Sequence, residues 1–329
     1  MEEKMSEVGA KSAANLLRYI RRSYLLTDLM NHLEIRFHEE KPFILLVGED
    51  HTNISHSLAH LVIIKDLLSC FSPSDITISY ELRHDLPQRI EELISEKIDN
   101  SLVMDCVAAC IEESARFAPA ARASMLRTVS KWGIGCQFTD TSFMKLPHGS
   151  WIIAPTDTYP NPSNEVCPQS PRGILLRNQF AFAQTTKIID THRPKIHIHL
   201  CGAIHVRGGN FYDLDAPYRE SLSCLYNEQG YDVMGVVMSS GEMNEDFCRP
   251  RDYSPPPNSF FGNLQPNIWI PGTTHISRID DEGKREKELT SAMMSYLFPE
   301  VLQDTQAIHS PTRKILTENR DKIRALFPD

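Results

Sequence analysis

A chain of 329 residues, 41% hydrophobic and 23% charged, has the make-up of a globular protein and the length for one large domain or two modest ones. A net charge of -9 and a pI near 5.8 argue against a general nucleic-acid or anionic-membrane binder. Eight cysteines without a CxxC pair, a charged N-terminus without an apolar core, and no apolar run of roughly 18 residues argue against a secreted disulfide scaffold and a membrane span, leaving a cytoplasmic protein or an effector secreted without a signal peptide.

Residues 8–37 carry Leu16, Leu17, Ile20, Tyr24, Leu25, Leu29 and Leu33 at helical spacing, which predicts an N-terminal helix. The run FILLV (43–47) is too short and too uniformly apolar for a helix and predicts a buried strand. Residues 54–68 return to helical periodicity, with Ser55 as the expected N-cap. ITISY (76–80) predicts a second strand, 87–116 and 119–131 predict helices, and GIGCQF (133–138) a third strand. Residues 146–172 hold six prolines and no period, which predicts a loop or flap. A helix over 173–192, a strand over 195–200, a helix over 220–230 and a strand over 231–238 follow. Residues 249–275 are expected to be irregular, and helices over 280–298 and 310–326 close the chain. Strands separated by helices predict an α/β fold with a mainly parallel central sheet flanked by helices, plus additional N- and C-terminal helices. The expected division is a helical extension over 1–40, an α/β domain over 41–248, and a Pro-rich segment with closing helices over 249–329 that pack on the same domain.

In such sheets ligands bind beyond the carboxyl ends of the strands. Here those ends carry titratable residues: Glu49, Asp50 and His51 after the first strand, Glu81 after the second, Asp140 after the third, and Gly202-Ala203-Ile204-His205 after the fourth. Both His51 and His205 stand three residues after a glycine, Gly48 and Gly202, which permits a sharp turn off the strand. Imidazole there can activate water or ligate a metal. Asp50 near a helix start suits the helix dipole without chemistry. His56 and His60 lie four apart on one helix and read best as surface or boundary residues. Arg177 interrupts an apolar helix start and needs a carboxylate, for which Glu49 and Glu81 are candidates. Cys136 and Cys201 lie in apolar strands, where burial makes a thiol inert.

The order Gly-x-x-His, strand-end Glu, helical Arg, Gly-x-x-His resembles the superfamily of Tiki/TraB proteins, ChaN-like haem-uptake proteins and erythromycin esterases. VGEDHTNISHSLAHLVIIKDLL is most similar to the ChaN-like opening, ISYEL to the strand ending in the family Glu, LRNQFAFA to the Arg-Asp helix start, and HLCGAIHVRGG to the second Gly-x-x-His. Asn178 stands where the family has Asp. The resemblance implies a hydrolase with a His51-activated water, Glu49 and Glu81 holding the histidine or a metal, His205 completing the set, and Arg177 anchoring substrate. It further implies a divalent metal, zinc or manganese, on His51, Glu81 and His205, with an ester, amide or peptide as small-molecule or peptide substrate. Two other readings stay open: a haem-binding module, and a degenerate effector that acts through a host protein partner.

Overall fold

The computed structural model describes residues 2–22, 41–94, 100–114, 118–154, 165–206, 221–239, 268–269, 281–301, 317–319 and 322. In chain order the elements are α1 (Glu2–Arg22), β1 (Phe43–Glu49), α2 (Ile54–Leu67), β2 (Ile76–Arg83), α3 (Leu86–Ile94), α4 (Asn100–Ser114), α5 (Pro119–Lys131), β3 (Gly135–Asp140), β4 (Phe143–Lys145), β5 (Trp151–Ile153), α6 (Pro171–His192), β6 (Ile196–Gly202), α7 (Ala203–Val206), α8 (Leu222–Glu228), β7 (Asp232–Ser239), β8 (Ile268–Trp269) and α9 (Asp281–Leu297). The expected α/β class with a parallel sheet is what the chain forms.

The sheet order is β3-β2-β6-β1-β7-β8, and every neighbouring pair is parallel. The chain moves in one direction from β1 through β2 to β3, then reverses through β6 to β7. Right-handed crossovers therefore send the two halves to opposite faces. One face packs Phe43, Leu45 and Val47 of β1 with Ile196, Ile198 and Leu200 of β6 against α1, α2, α4, α5 and α9. The other packs Ile44 and Leu46 with Cys201, Val233 and Val237 against α6 and α8. At the carboxyl end of β6 the connections from its two neighbours, β1 and β2, leave toward the first face, while its own leaves toward the second. That divergence opens a crevice over the last residue of β6, Gly202.

Several local expectations shift. The helix expected over 8–37 is described only to Arg22, and the helix expected over 310–326 lies mostly outside the described residues. The stretch 87–116 contains two helices, α3 and α4. Asn53, not Ser55, caps α2: its side-chain oxygen accepts the Ser55 N–H at 2.9 Å. The segment 146–172 is not wholly irregular, because Trp151–Ile153 pairs antiparallel with Phe143–Lys145; residues 155–164 lie outside the described set. Within the expected irregular stretch 249–275, Ile268–Trp269 adds to the sheet edge beside β7. Among the described residues no helix is long and apolar enough to cross a membrane.

The terminal helices join the core directly. A Cβ on Gly9 of α1 would lie 2.3 Å from the Ala292 Cβ of α9, so glycine there permits their close crossing. α9 also completes α5. The residue before α5, Ala118, is left-handed (φ 37°) and has no side-chain oxygen to cap the helix. The carboxylate of Glu286, 1% exposed on α9, accepts the Ala120 and Ala121 N–H groups at 3.2 and 3.1 Å instead. Replacing Glu286 with Ala should lower the unfolding free energy by about 1–2 kcal/mol, measured by urea titration. An unchanged midpoint would show that α5 needs no cap from α9.

Candidate functional site

The crevice over Gly202 collects the titratable residues. Glu49 closes β1 on the face shared with α2 and α5, and is 2% exposed. Its Oε1 accepts from His51 Nδ1 at 2.8 Å and from Tyr80 OH at 3.4 Å. Arg122 Nε donates to that phenol oxygen at 2.7 Å. His60 of α2, 1% exposed, points Nε2 at Glu49 Oε2 from 3.6 Å, longer than a hydrogen bond. Burial opposes ionisation of Glu49, but His60, His51 and Arg122 outweigh it and hold the carboxyl down at about 2. Burial draws His60 below its ordinary value, while the nearby Glu49 carboxylate pulls it back up.

Across the sheet end lies a second carboxylate, Glu81, with its side chain 12% exposed. Glu81 sits where β2 loses its regular register with β3, between Tyr80 and Arg83. Its Oε1 accepts from Arg177 Nη2, and its Oε2 from the Gly202 N–H. His205 Nε2 lies 3.2 Å from Oε1 and His51 Nε2 lies 3.5 Å from Oε2. Burial would raise the Glu81 carboxyl, but His205, Arg177 and His51 hold it well below the usual range. Arg177, buried on α6, also forks onto Asp140 at 3.0 and 2.7 Å, and its guanidinium carbon lies 5.3 Å from the Phe143 ring centroid. Its pKa rises because Asp140 and Glu81 outweigh the desolvation that would lower it. His205 Nδ1 meets the Asn178 Oδ1 at 2.6 Å.

His51 thus bridges the two clusters, with its side chain 30% exposed. Burial would lower its pKa, but Glu81 and Glu49 push it up to about 10. Gly202 is the floor: a Cβ there would come 3.1 Å from His51 Nε2 and 3.3 Å from Glu81 Oε2. The structure brings Glu49, His51, Glu81, Arg177 and His205 together; four of the five follow strand ends, and Arg177 comes from α6. Arg177 is held by two carboxylates from within the protein, so the expected substrate-anchoring role does not follow from its contacts. Asp140, flagged only as a strand end, is its main partner. Asp50 accepts from Thr52 N–H at 3.0 Å and from its hydroxyl at 2.7 Å, a turn device. His56 and His60 are buried rather than at the surface, and His56 Nδ1 accepts the Asp50 N–H at 3.0 Å. His197 and His199 share the α6 face of β6 and bond Thr77 and Tyr226 at 2.8 and 3.2 Å. Burial raises the Cys136 thiol to about 12 and the Cys201 thiol well above its ordinary value, which leaves no thiolate nucleophile on either strand.

Tyr80, Arg122 and His60 escape sequence reading as site residues. Tyr80 looks like a core position on an apolar strand, His60 like a surface or boundary residue of its helix, and Arg122 like an ordinary helix-surface cation. The one available signal was Tyr80 directly before Glu81 at a buried strand end.

The expected metal donors His51, Glu81 and His205 do not fit a metal as they stand. Both Glu81 oxygens already accept from Arg177 and Gly202, and a guanidinium beside a metal cation opposes its binding. Among the described residues no group of three or more His, Cys, Asp or Glu is arranged to hold a metal ion.

No protein family matches the chain. No curated protein matches it in sequence. Among solved structures, one titled as the structure of the type III effector HopBA1 aligns with a TM-score of 0.34 at 12% identity, over 60% of this chain and 76% of that one. A likeness of that size carries no argument about function. Fold and site together define an α/β protein with a carboxylate–histidine cluster at its sheet switch point.

The cluster sets the state of His51. Glu49 ionises below its unfolded value of 4.5 and His51 protonates above its unfolded value of 6.5. The stabilisation from the pair is therefore complete between those values. It is lost as pH falls toward about 2 or rises toward about 10. The His51 ring signal in an NMR titration should stay that of imidazolium from pH 5 to 8, and Glu81→Gln should bring its midpoint down toward the ordinary value. A wild-type midpoint near 6.5 would dismantle the two-carboxylate bridge.

Proposed function

We propose that the protein is a hydrolase of ester, amide or peptide bonds in which His51 activates water, consistent with the Tiki, ChaN-like and erythromycin-esterase resemblance. The observation that supports this best is the bond of His51 Nδ1 to buried Glu49 at 2.8 Å, which fixes the ring with Nε2 over Gly202, 3.5 Å from Glu81 Oε2, on a side chain that keeps 30% exposure. In that arrangement the carboxylate orients the imidazole and stabilises its charged form without taking the proton itself.

The steps require no metal. Neutral His51 Nε2 takes a proton from water as the water oxygen bonds to the carbonyl carbon. The imidazolium then returns the proton to the leaving oxygen or nitrogen as the carbonyl re-forms and the bond to it breaks. His205, with Nε2 on the far side of Glu81, is placed to keep that carboxylate in position. The same geometry supports the haem reading less, because both Nε2 atoms face Glu81 rather than an open apolar wall. Nor does Asn178 argue for a decayed site: its amide oxygen still accepts from His205.

A His51 pKa of about 10 leaves roughly one free base in a thousand at pH 7 by simple titration. With a panel of carboxylic esters, amides and peptides, kcat/KM should therefore climb with pH toward about 10, and Glu81→Gln should move that climb to lower pH. His51→Ala should lower turnover by at least ~100-fold; because it also removes the ring that pairs Glu49 with Glu81, the thermal midpoint near neutral pH should fall as well, and turnover is read below that midpoint on folded protein. A rate that is flat through neutrality and falls above pH 10 would make His51 an acid and remove the water-activating role.

A further inference from the structure

The arginines within or beside the core divide into two kinds. Arg83 is paired with Asp85 at 2.9 Å, Arg127 with Glu112 at 2.9 Å, and Arg177 with Asp140 at 2.7 Å and with Glu81. Arg122 is different. It is half-buried, its Nε donates to Tyr80 OH at 2.7 Å, and its guanidinium carbon lies 5.5 Å from the centroid of that ring. Among the described residues its Nη atoms meet no carboxylate and make no hydrogen bond. Glu49 and Glu81 act on it only from farther off, so the parallel Nη donors of a partly desolvated guanidinium are left without a direct acid partner, which is uncommon.

Its place in the fold is specific. α5 leads into the start of β3, so the helix runs back from the carboxyl rim of the sheet, and its first turn lies at that rim. Arg122 is in that turn. Tyr80 connects it to Glu49 at 3.4 Å, and Glu49 connects to His51 at 2.8 Å. The guanidinium therefore stands on the α2 and α5 side of His51, across the sheet end from Arg177. Glu49 does not occupy the Nη edge, because its oxygens face His51, Tyr80 and His60.

We propose that Arg122 is the substrate-anchoring cation of this site, taking a carboxylate or phosphate group of the substrate on its Nη edge while the Tyr80 hydroxyl fixes the plane of the fork. A planar guanidinium presents parallel N–H donors that match two oxygens of such an anion. The role expected of Arg177 thus passes to a residue on the opposite wall. Only the word substrate rests on the hydrolase reading; the anion site does not.

The test measures binding rather than turnover. Inorganic phosphate and acetate are titrated separately into the full chain by calorimetry at fixed ionic strength. The wild-type protein should bind at least one of them. The anion that binds tells phosphate recognition from carboxylate recognition. Arg122→Gln should weaken that binding at least about tenfold, which is about 1.4 kcal/mol. Tyr80→Phe keeps the guanidinium and loses its anchor, so it should weaken binding by less. Arg122→Lys, which keeps the charge but not the fork, guards against misfolding of the Gln variant and should bind more weakly than wild type. Binding of neither anion by wild type, or equal binding by wild type and both Arg122 variants, would overturn the proposal. Arg122-dependent binding with no turnover on any ester, amide or peptide would leave the anion site standing and remove the hydrolase reading.

Discussion

Buried carboxylates at one end of a sheet govern this structure. Glu49 and Asp140 are buried and Glu81 is mostly shielded, at the ends of three strands on one rim of the sheet, and each would be destabilising if left uncompensated. Compensation comes from both layers of helices. α6 brings Arg177 to Glu81 and Asp140, α2 brings His60 toward Glu49, and α5 brings Arg122 to Tyr80. His51 is the only one of these partners that reaches both sides, since its two ring nitrogens face Glu49 and Glu81. The residue proposed to activate water and the electrostatic solution to burying the acids are therefore the same. Its high proton affinity follows directly from that double service.

Much of this was legible before any coordinates. Apolar runs such as FILLV and KIHIHL mark strands buried on both faces. Their exits into Gly-x-x-His mark the rim, because glycine followed by a titratable group has little use in a core. The convergence of Glu49, His51, Glu81 and His205 follows once the strands are parallel. What stayed hidden depends on which faces meet. Nothing in the sequence says that β6 inserts between β1 and β2, yet that insertion places Gly202 beneath His51. The partner of Arg177 was legible only as a choice among carboxylates, and Asp140 adds to Glu81 because α6 packs over β3. His60 looked like a boundary residue because α2 reads as amphipathic, whereas both α1 and α9 cover it and leave nearly all its positions buried.

Asn178 holds a site histidine with an amide rather than a carboxylate. Its side-chain oxygen accepts the His205 Nδ1 proton at 2.6 Å, as a carboxylate would, but brings no negative charge. In a site where three carboxylates already compete for cations, a neutral acceptor fixes the ring without adding to the electrostatic load.

The cap that Glu286 places on α5 ties the rim to the far end of the chain. The first turn of α5 holds Arg122, and its exposed N–H groups find their acceptor about 165 residues downstream, as the separation between Ala121 and Glu286 shows. A nascent chain emerging from the ribosome can pair β1, β2, β3 and β6 long before α9 has been made. Until then the helix that orients Tyr80 and stands beside Glu49 lacks its terminal acceptor. The sheet can form early, but the wall of the crevice that carries Arg122 is set only once α9 has been made and docks on α5, so the site matures after the sheet that frames it.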